Sequence, residues 1–162
     1  TGLFTLLEKH SFEEIRSDTE LLHEIILRAI KVKTSIVERD QHEYGERRKL
    51  NLGHTFAHAI EKSFSNMSHG EAVAVGICMI CNAAVRAGRL DAATSSRIIN
   101  LIERLGLPVE PPVDIKQLLI FTRADKKREG DSIYIVYPTA IGNCSAEKTH
   151  IEELDIIFMP ET

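Results

Sequence analysis

The chain has 162 residues, enough for one domain that buries a sizeable core without disulfides. The hydrophobic fraction of 43% and the charged fraction of 27% are ordinary for a globular protein. The net charge of -4 supplies no general attraction to nucleic acid. No apolar run reaches the roughly 18 residues of a membrane span, and no signal peptide is evident, so we expect no membrane partner and a cytoplasmic location.

The three cysteines argue against a disulfide framework, because their number is odd. This usage is typical of a reducing compartment. Cys78 and Cys81 form a C-x-x-C pair with apolar neighbours and no second pair, so we interpret them as buried core thiols.

Helical periodicity dominates the first half of the chain. Residues 17–20 read as a capping box, after which apolar residues recur with a 3.6-residue period at Leu22, Ile25, Ile26, Ala29, Val32 and Ile36. Residues 41–48 are polar and contain Gly45, which predicts a connection. A second helix is predicted from about residue 51 or 53 to residue 63, followed by a polar turn.

The next predicted helix, residues 70–87, is apolar almost all round, which is typical of a buried central helix ending at Gly88. Asp91 is the expected cap of a helix through residue 105, closed by Gly106, and another helix is predicted over 115–122. Residues 133–137 are β-branched and aromatic, which predicts a strand of a hairpin. Residues 149–152 read as a capping box opening a short last helix. The fold class is therefore mainly α: one multihelical domain over residues 1–162 with one small β-hairpin.

Two histidines four residues apart, His54 and His58, share one face of the second predicted helix. They are candidates for a metal pair, for one ligand beside one proton-handling group, or for hydrogen-bonded structural residues. The spacing resembles the zinc-protease motif H-E-x-x-H, but Thr55 stands where that motif has glutamate, so protease chemistry is not expected. His69 opens the buried helix and would converge with them if the two helices are antiparallel neighbours. Imidazole suits zinc.

Basic residues form a second constellation. Lys33 lies beside the apolar stripe, Arg47, Arg48 and Lys49 precede Asn51, and residues 126–128 are basic as well. Such residues could bind phosphate or carboxylate, or form a solvated face. Glu71, in the first turn of the buried helix, is interpreted as a residue that complements the helix dipole.

Taken together, these motifs resemble 3-dehydroquinate synthase. The string E-x-G-x-R-x-x-L-N-x-G-H-T-x-x-H-A-x-E spans residues 43–61, and H-G-E-A-V-x-x-G spans residues 69–76. Residues 125–127 and the pair Ile141-Gly142 also match, so the resemblance extends over essentially the whole chain. It implies a dehydroquinate synthase-like C-terminal domain from a metal- and NAD-dependent enzyme of the shikimate pathway. That enzyme converts 3-deoxy-D-arabino-heptulosonate 7-phosphate, a phosphorylated sugar acid, to 3-dehydroquinate and phosphate.

The resemblance also implies roles for individual residues. His54 and His69 would bind Zn2+ or Co2+, whereas spacing alone would pair His54 with His58. His58 would handle protons and contact substrate, with Glu43 as a catalytic carboxylate near it. The substrate contacts would be Lys33, Arg47, Asn51, His58 and Lys126, with Lys127 as the rival to Lys126.

In this family an N-terminal half binds NAD and supplies a third metal ligand, a glutamate. No glycine-rich phosphate loop is found here, so we expect the C-terminal half alone, inactive by itself and without cofactor-binding residues of its own. The full-length enzyme is expected to be a homodimer. Two alternatives stay open: another sugar phosphate cyclase of the same superfamily, or a non-catalytic helical module that binds a metal or ligand.

Overall fold

The computed structural model describes residues 2–42, 45–126 and 130–159, and for residues 124–126 it describes the backbone alone. The helices are α1 (Gly2–Glu8), α2 (Phe12–Ser17), α3 (Thr19–Arg39), α4 (His54–Ser63), α5 (His69–Arg86), α6 (Ala92–Arg104), α7 (Ile115–Lys126) and α8 (Leu154–Phe158). A 3-10 segment (Glu46–Asn51) precedes α4. The strands β1 (Ser132–Ala140) and β2 (Asn143–His150) form an antiparallel hairpin. The predicted mainly α fold class with a small β-hairpin is confirmed.

Local signals place several helix ends where the sequence predicts them. The Asp91 side chain accepts a hydrogen bond from the Thr94 backbone N–H and begins α6. Gly88 and Gly106, which follow α5 and α6, have φ angles of 65° and 77°. Glycine adopts this left-handed conformation at little cost, so it ends a helix readily.

Two predicted capping boxes are wrong. Ser17 is the last residue of α2, where its hydroxyl donates to the Glu13 carbonyl, and Asp18 caps α3 instead by accepting from the Leu21 N–H. Thr149 lies in β2, buried opposite Ile133, and the 3-10 turn before α8 has no side-chain cap. In both cases the hydroxyl group is already engaged or buried within the preceding element.

Helix α5 forms the centre of the core, as predicted. Its buried residues include Val75, Ile80 and Cys81, and it packs against α4, α6 and β1. The largest side chains around it are fully buried: Phe56, Ile60, Leu118, Leu119, Ile135 and Leu154. The Cys78 and Cys81 thiols lie inside this core, which confirms that interpretation.

Helix α3 has the predicted 3.6-residue period but does not bury its apolar stripe. None of its residues is buried, and Val32 and Ile26 are 53% and 45% exposed. It contacts α1, α2 and the 3-10 segment, so it borders the domain as a long outer wall. Among the described helices, none combines the length and apolarity needed to cross a bilayer.

Candidate functional site

A close approach of two glycines sets the geometry of the site. Gly53, with φ 80°, begins α4, and a Cβ atom on it would lie 2.7 Å from the Val73 carbonyl oxygen of α5. A Cβ on Gly76 would overlap the Gly53 carbonyl oxygen. Only glycine at both positions lets the backbone before α4 touch α5. This contact brings the start of α4, and with it His54, against α5.

The three histidines of the sequence motif come together at this junction. The ring centroids of His54 and His69 are 5.2 Å apart, and those of His54 and His58 are 6.0 Å apart. His54 is half-buried, whereas His58 and His69 are exposed. His54 is thus the central ring of the cluster, and His69 is its nearer neighbour.

Hydrogen bonds hold two of these rings by the same nitrogen. His54 Nδ1 lies 3.2 Å from the Leu52 carbonyl oxygen, and His69 Nδ1 lies 3.0 Å from Glu61 Oε1. In the tautomer with hydrogen on Nδ1, each ring donates this hydrogen bond. The lone pair on Nε2 then remains available to bind a metal. A carbonyl or carboxylate behind the ring is the usual support of a metal-bound histidine.

A cavity of about 560 Å³ opens beside His54. Four of the predicted site residues line it: Lys33, Arg47, Asn51 and His54. Its remaining walls are apolar and come from α1, α3 and the 3-10 segment. Two cations and a carboxamide therefore face one space that also contains a histidine of the cluster, an arrangement suited to a polyhydroxylated anion.

Local contacts hold Arg47 in this wall. The Asp40 carboxylate accepts hydrogen bonds from the backbone N–H groups of Gly45 and Arg47, at 2.8 and 2.9 Å. The Arg47 guanidinium donates to the Gln41 carbonyl at 3.1 Å. The end of α3 thus holds the start of the 3-10 segment and fixes where Arg47 projects.

The neighbouring basic residues point elsewhere. The Arg48 guanidinium lies 3.7 Å from the centroid of the Tyr134 ring, and Lys49 Nζ lies 3.5 Å from Glu46 Oε1. Neither of them lines the cavity beside His54. The basic run of the sequence is therefore divided among three partners, and Arg47 alone of its three members reaches the candidate site.

Glu71 takes a local structural part, in line with the sequence interpretation. Its carboxylate accepts hydrogen bonds from the backbone N–H and the hydroxyl of Ser68, and it completes a capping box at the start of α5. These bonds hold the pKa of the Glu71 carboxyl below its ordinary value. Glu43 and Lys127 lie outside the described residues, and the Lys126 side chain is likewise outside them, so their predicted roles stay predictions.

Sequence reasoning missed the contact between Glu61 and His69. Glu61 closes the first motif and lies on α4 beside His69, the first residue of α5. The signal available in the sequence was a conspicuous glutamate at the end of the histidine helix, with a short turn to the next histidine. Which carboxylate meets which ring depends on how α4 and α5 pack.

The imidazoles of His54 and His69 could account for part of a metal site. Two imidazoles bound to one tetrahedral zinc through bonds of about 2.0–2.1 Å have ring centroids roughly 5 Å apart. The 5.2 Å separation of His54 and His69 matches this arrangement. Among residues 2–42, 45–126 and 130–159, no group of three or more His, Cys, Asp or Glu side chains is arranged to hold a metal ion. His54 and His69 could hold one together with a further ligand.

The fold and the site together define a helical domain with a histidine cluster beside a cavity lined by two cationic side chains. The model of the family "3-dehydroquinate synthase C-terminal" matches residues 1–128 of this chain. The chain therefore belongs to the family of 3-dehydroquinate synthase C-terminal domains.

Solved structures share this fold. The chain is similar to ValA, a 2-epi-5-epi-valiolone synthase from Streptomyces hygroscopicus subsp. jinggangensis 5008 with NAD+ and Zn2+ bound. The TM-score is 0.80 and the identity 23%, over 96% of this chain and 45% of that one. A 2-deoxy-scyllo-inosose synthase complexed with carbaglucose-6-phosphate, NAD+ and Co2+ matches with a TM-score of 0.71 and 21% identity, over 86% of this chain and 41% of that one. The chain thus spans less than half the length of the solved structures it matches.

Proposed function

We propose that this chain is the metal- and substrate-binding half of a 3-dehydroquinate synthase. The reaction is the conversion of 3-deoxy-D-arabino-heptulosonate 7-phosphate to 3-dehydroquinate with loss of phosphate, in the cytoplasm. One observation carries the proposal. His54 belongs both to the histidine cluster and to the cavity lined by Lys33, Arg47 and Asn51. A metal held at His54 would therefore border bound substrate.

The metal, Zn2+ or Co2+, would be held by His54 and His69 and would act as a Lewis acid on an oxygen of the substrate. The third ligand and the NAD site would come from another part of a longer protein, as in the family that this sequence resembles. Glu61 would hold the His69 ring and fix its tautomer, and the Leu52 carbonyl would do the same for His54.

The cavity's own residues bind and orient the substrate. Lys33 and Arg47 supply two positive charges for a molecule that carries a carboxylate and a phosphate, and Asn51 offers hydrogen bonds to hydroxyl groups. His58, one helical turn from His54, is the group proposed to move protons, since an imidazole titrates near neutral pH. Glu43 and Lys126 are proposed to support His58 and to bind phosphate, respectively.

A second candidate is a different sugar phosphate cyclase. Under either candidate, the enzyme is proposed to be a homodimer of longer chains. The fold match to a valiolone synthase and an inosose synthase favours it. Charge separates the two candidates. The heptulosonate phosphate carries a carboxylate in addition to its phosphate. Glucose 6-phosphate, the sugar phosphate that carbaglucose-6-phosphate resembles, has the phosphate only.

The test is phosphate release by the longest protein that contains this chain, supplied with NAD and zinc. We expect turnover of 3-deoxy-D-arabino-heptulosonate 7-phosphate and none of glucose 6-phosphate. Arg47→Met should raise KM for the heptulosonate phosphate at least about tenfold, the effect of losing one charge-assisted hydrogen bond. Turnover of glucose 6-phosphate alone would assign the chain to the other class of cyclase.

A further inference from the structure

A second cavity lies on the other side of the 3-10 segment. Its volume is about 720 Å³, and its walls come from α1, α3, α6 and the tip of the hairpin. Most of the lining is apolar, as shown by Phe4, Ile36, Ile98, Leu101 and Ile102. A concave, largely apolar space of this size is typical of a site for a small organic molecule.

This cavity is separate from the candidate active site. Lys33, Arg47, Asn51 and His54 do not line it. The two cavities share only the apolar side chains of Leu3, Val32 and Leu50. Its occupant would therefore need a different chemistry from that of a sugar phosphate.

Helix α1 forms a defined wall of the cavity. It contributes Leu3, Phe4 and Leu7 to the lining. Two arginines of α6 hold its end, because Arg97 donates to both carboxylate oxygens of Glu8 at 3.1 and 2.9 Å and Arg104 donates to the Glu8 carbonyl at 2.7 Å. These bonds fix the distance between α1 and α6, and hence the width of the cavity.

The charged side chains of the lining carry a net positive charge. Arg39 Nε lies 2.7 Å from one carboxylate oxygen of Glu46, and Lys49 Nζ lies 3.5 Å from the other. Among the described lining residues, two cations thus share one carboxylate at this edge. The longer contact of Lys49 leaves its ammonium group able to donate further hydrogen bonds, since it has three N–H donors.

We propose that this second cavity binds a small molecule with an apolar body and a single carboxylate. The apolar body would lie against α6 and α1, and the carboxylate would accept a hydrogen bond from Lys49. A neutral molecule of the same shape would forgo that charge-assisted bond, and a sugar phosphate would leave its hydroxyl groups unpaired against the apolar walls.

Calorimetry with 4-phenylbutyrate and 4-phenylbutanol tests the proposal. Both probes should bind in one-to-one stoichiometry, with the acid roughly tenfold tighter than the alcohol. In Lys49→Met that preference should disappear while the alcohol binds as before. Absence of saturable binding, or equal affinity of the two probes for the unmodified protein, overturns the proposal.

Location is tested by filling the cavity. Ile102→Trp should weaken both probes at least about tenfold, whereas Ile156→Trp, at a position 81% exposed on α8, should leave binding unchanged. Equal binding by both variants places the probe elsewhere and overturns the proposal. Circular dichroism confirms that each variant is folded.

A measurement on the unmodified protein does not depend on these variants. Cys144 lines the cavity and is half-buried, whereas Cys78 and Cys81 are buried in the core. Saturating 4-phenylbutyrate should slow alkylation of Cys144 by iodoacetamide several-fold, as followed by mass spectrometry. An unchanged rate contradicts the proposal. In a longer protein that contains this chain, 4-phenylbutyrate should also slow alkylation of Cys144. If it does not, another segment fills the cavity and the proposal is contradicted.

Discussion

At the scale of single residues, His54 and His69 each have an oxygen atom behind the ring. The Leu52 carbonyl and the Glu61 carboxylate are within hydrogen-bonding distance of Nδ1 of His54 and His69. Both rings then direct Nε2 away from that support. This arrangement supports the proposed metal pair of His54 and His69, beside the proposed proton-handling role of His58.

Metal content should distinguish these roles in the longest protein that contains this chain. His54→Ala and His69→Ala should each remove bound zinc, because each would delete one of the few protein ligands. His58→Ala should keep zinc near the wild-type level and lower kcat about 100-fold or more, as expected for a lost acid or base. Elemental analysis and kinetics measure both effects, and a stoichiometric loss of zinc from His58→Ala would instead make His58 a ligand.

Glu61→Gln should weaken zinc affinity about 10- to 100-fold without unfolding the protein. The amide retains the shape of the side chain and can still accept a hydrogen bond from His69, but it lacks the negative charge that makes the imidazole a better donor to the metal. Competition with a chelator gives the affinity. Glu103→Gln on α6 is the matched control. Equal zinc affinity in both variants would mean that Glu61 does not support the metal site.

At the scale of elements, the approach of α4 to α5 decides whether a site exists. Gly53 and Gly76 form this contact with backbone atoms alone. Sequence patterns predicted both helices but contained no measure of their separation.

Gly76→Ala should destabilise the chain by about 3 kcal/mol, the upper part of the range for an overpacked core. The added methyl group would overlap backbone of Gly53, which no rotation of a side chain relieves. The matched control is Gly70→Ala, since a Cβ there meets nothing within 4 Å. Urea unfolding should show that control to be as stable as the wild type or slightly more so; equal stability of the two variants would argue against the contact.

The buried thiols of α5 predict a loss of stability in alkali. Desolvation raises the pKa of Cys78 from 9.0 to about 11 and that of Cys81 to about 12. The unfolded chain therefore loses these protons first, and the free energy of unfolding should fall as pH rises above 9, by up to about 1.4 kcal/mol per pH unit for each thiol.

Urea unfolding between pH 8 and pH 11 measures this effect. The double variant Cys78→Ala, Cys81→Ala provides the control, because it should retain only the slope due to other groups. Parallel curves for the two proteins would mean that the thiols ionise as easily in the folded core as in the unfolded chain.

At the scale of the whole molecule, the chain spans less than half of the solved structures it matches, and α3 leaves apolar side chains exposed. Leu27 and Ile30 are 66% and 55% exposed, and Val32 borders both cavities. Contiguous exposed apolar surface commonly marks a contact with another part of a protein. The candidate site opens next to this surface.

Calorimetry of the 162-residue chain with NAD should show no binding, because the sequence contains no glycine-rich phosphate loop. A longer protein with a nucleotide-binding half should bind NAD under the same conditions and provides the positive control. Micromolar affinity of the 162-residue chain would overturn the expectation that its cofactor site lies elsewhere.

Local sequence by itself determined the elements whose causes are local. Asp91 predicts the start of α6 by accepting a backbone N–H, Gly88 predicts the end of α5, and a β-branched run predicts β1. The two wrong capping boxes fail because the Ser17 hydroxyl donates within α2 and Thr149 is buried in β2. A pattern of four residues does not contain that information.

The family resemblance already implied the pair His54 and His69 and selected Arg47 from the basic run. Only the tertiary structure decided how close these rings lie, what holds Arg47 at the cavity and which carboxylate supports His69. Spacing along the helix favours His54 with His58, yet His69 is the nearer ring, since a glycine contact brings the start of α4 against α5. The division of Arg47, Arg48 and Lys49 among Gln41, Tyr134 and Glu46 likewise follows from where α3 and the hairpin lie. Distances across a fold depend on packing between elements, which local residue patterns do not specify.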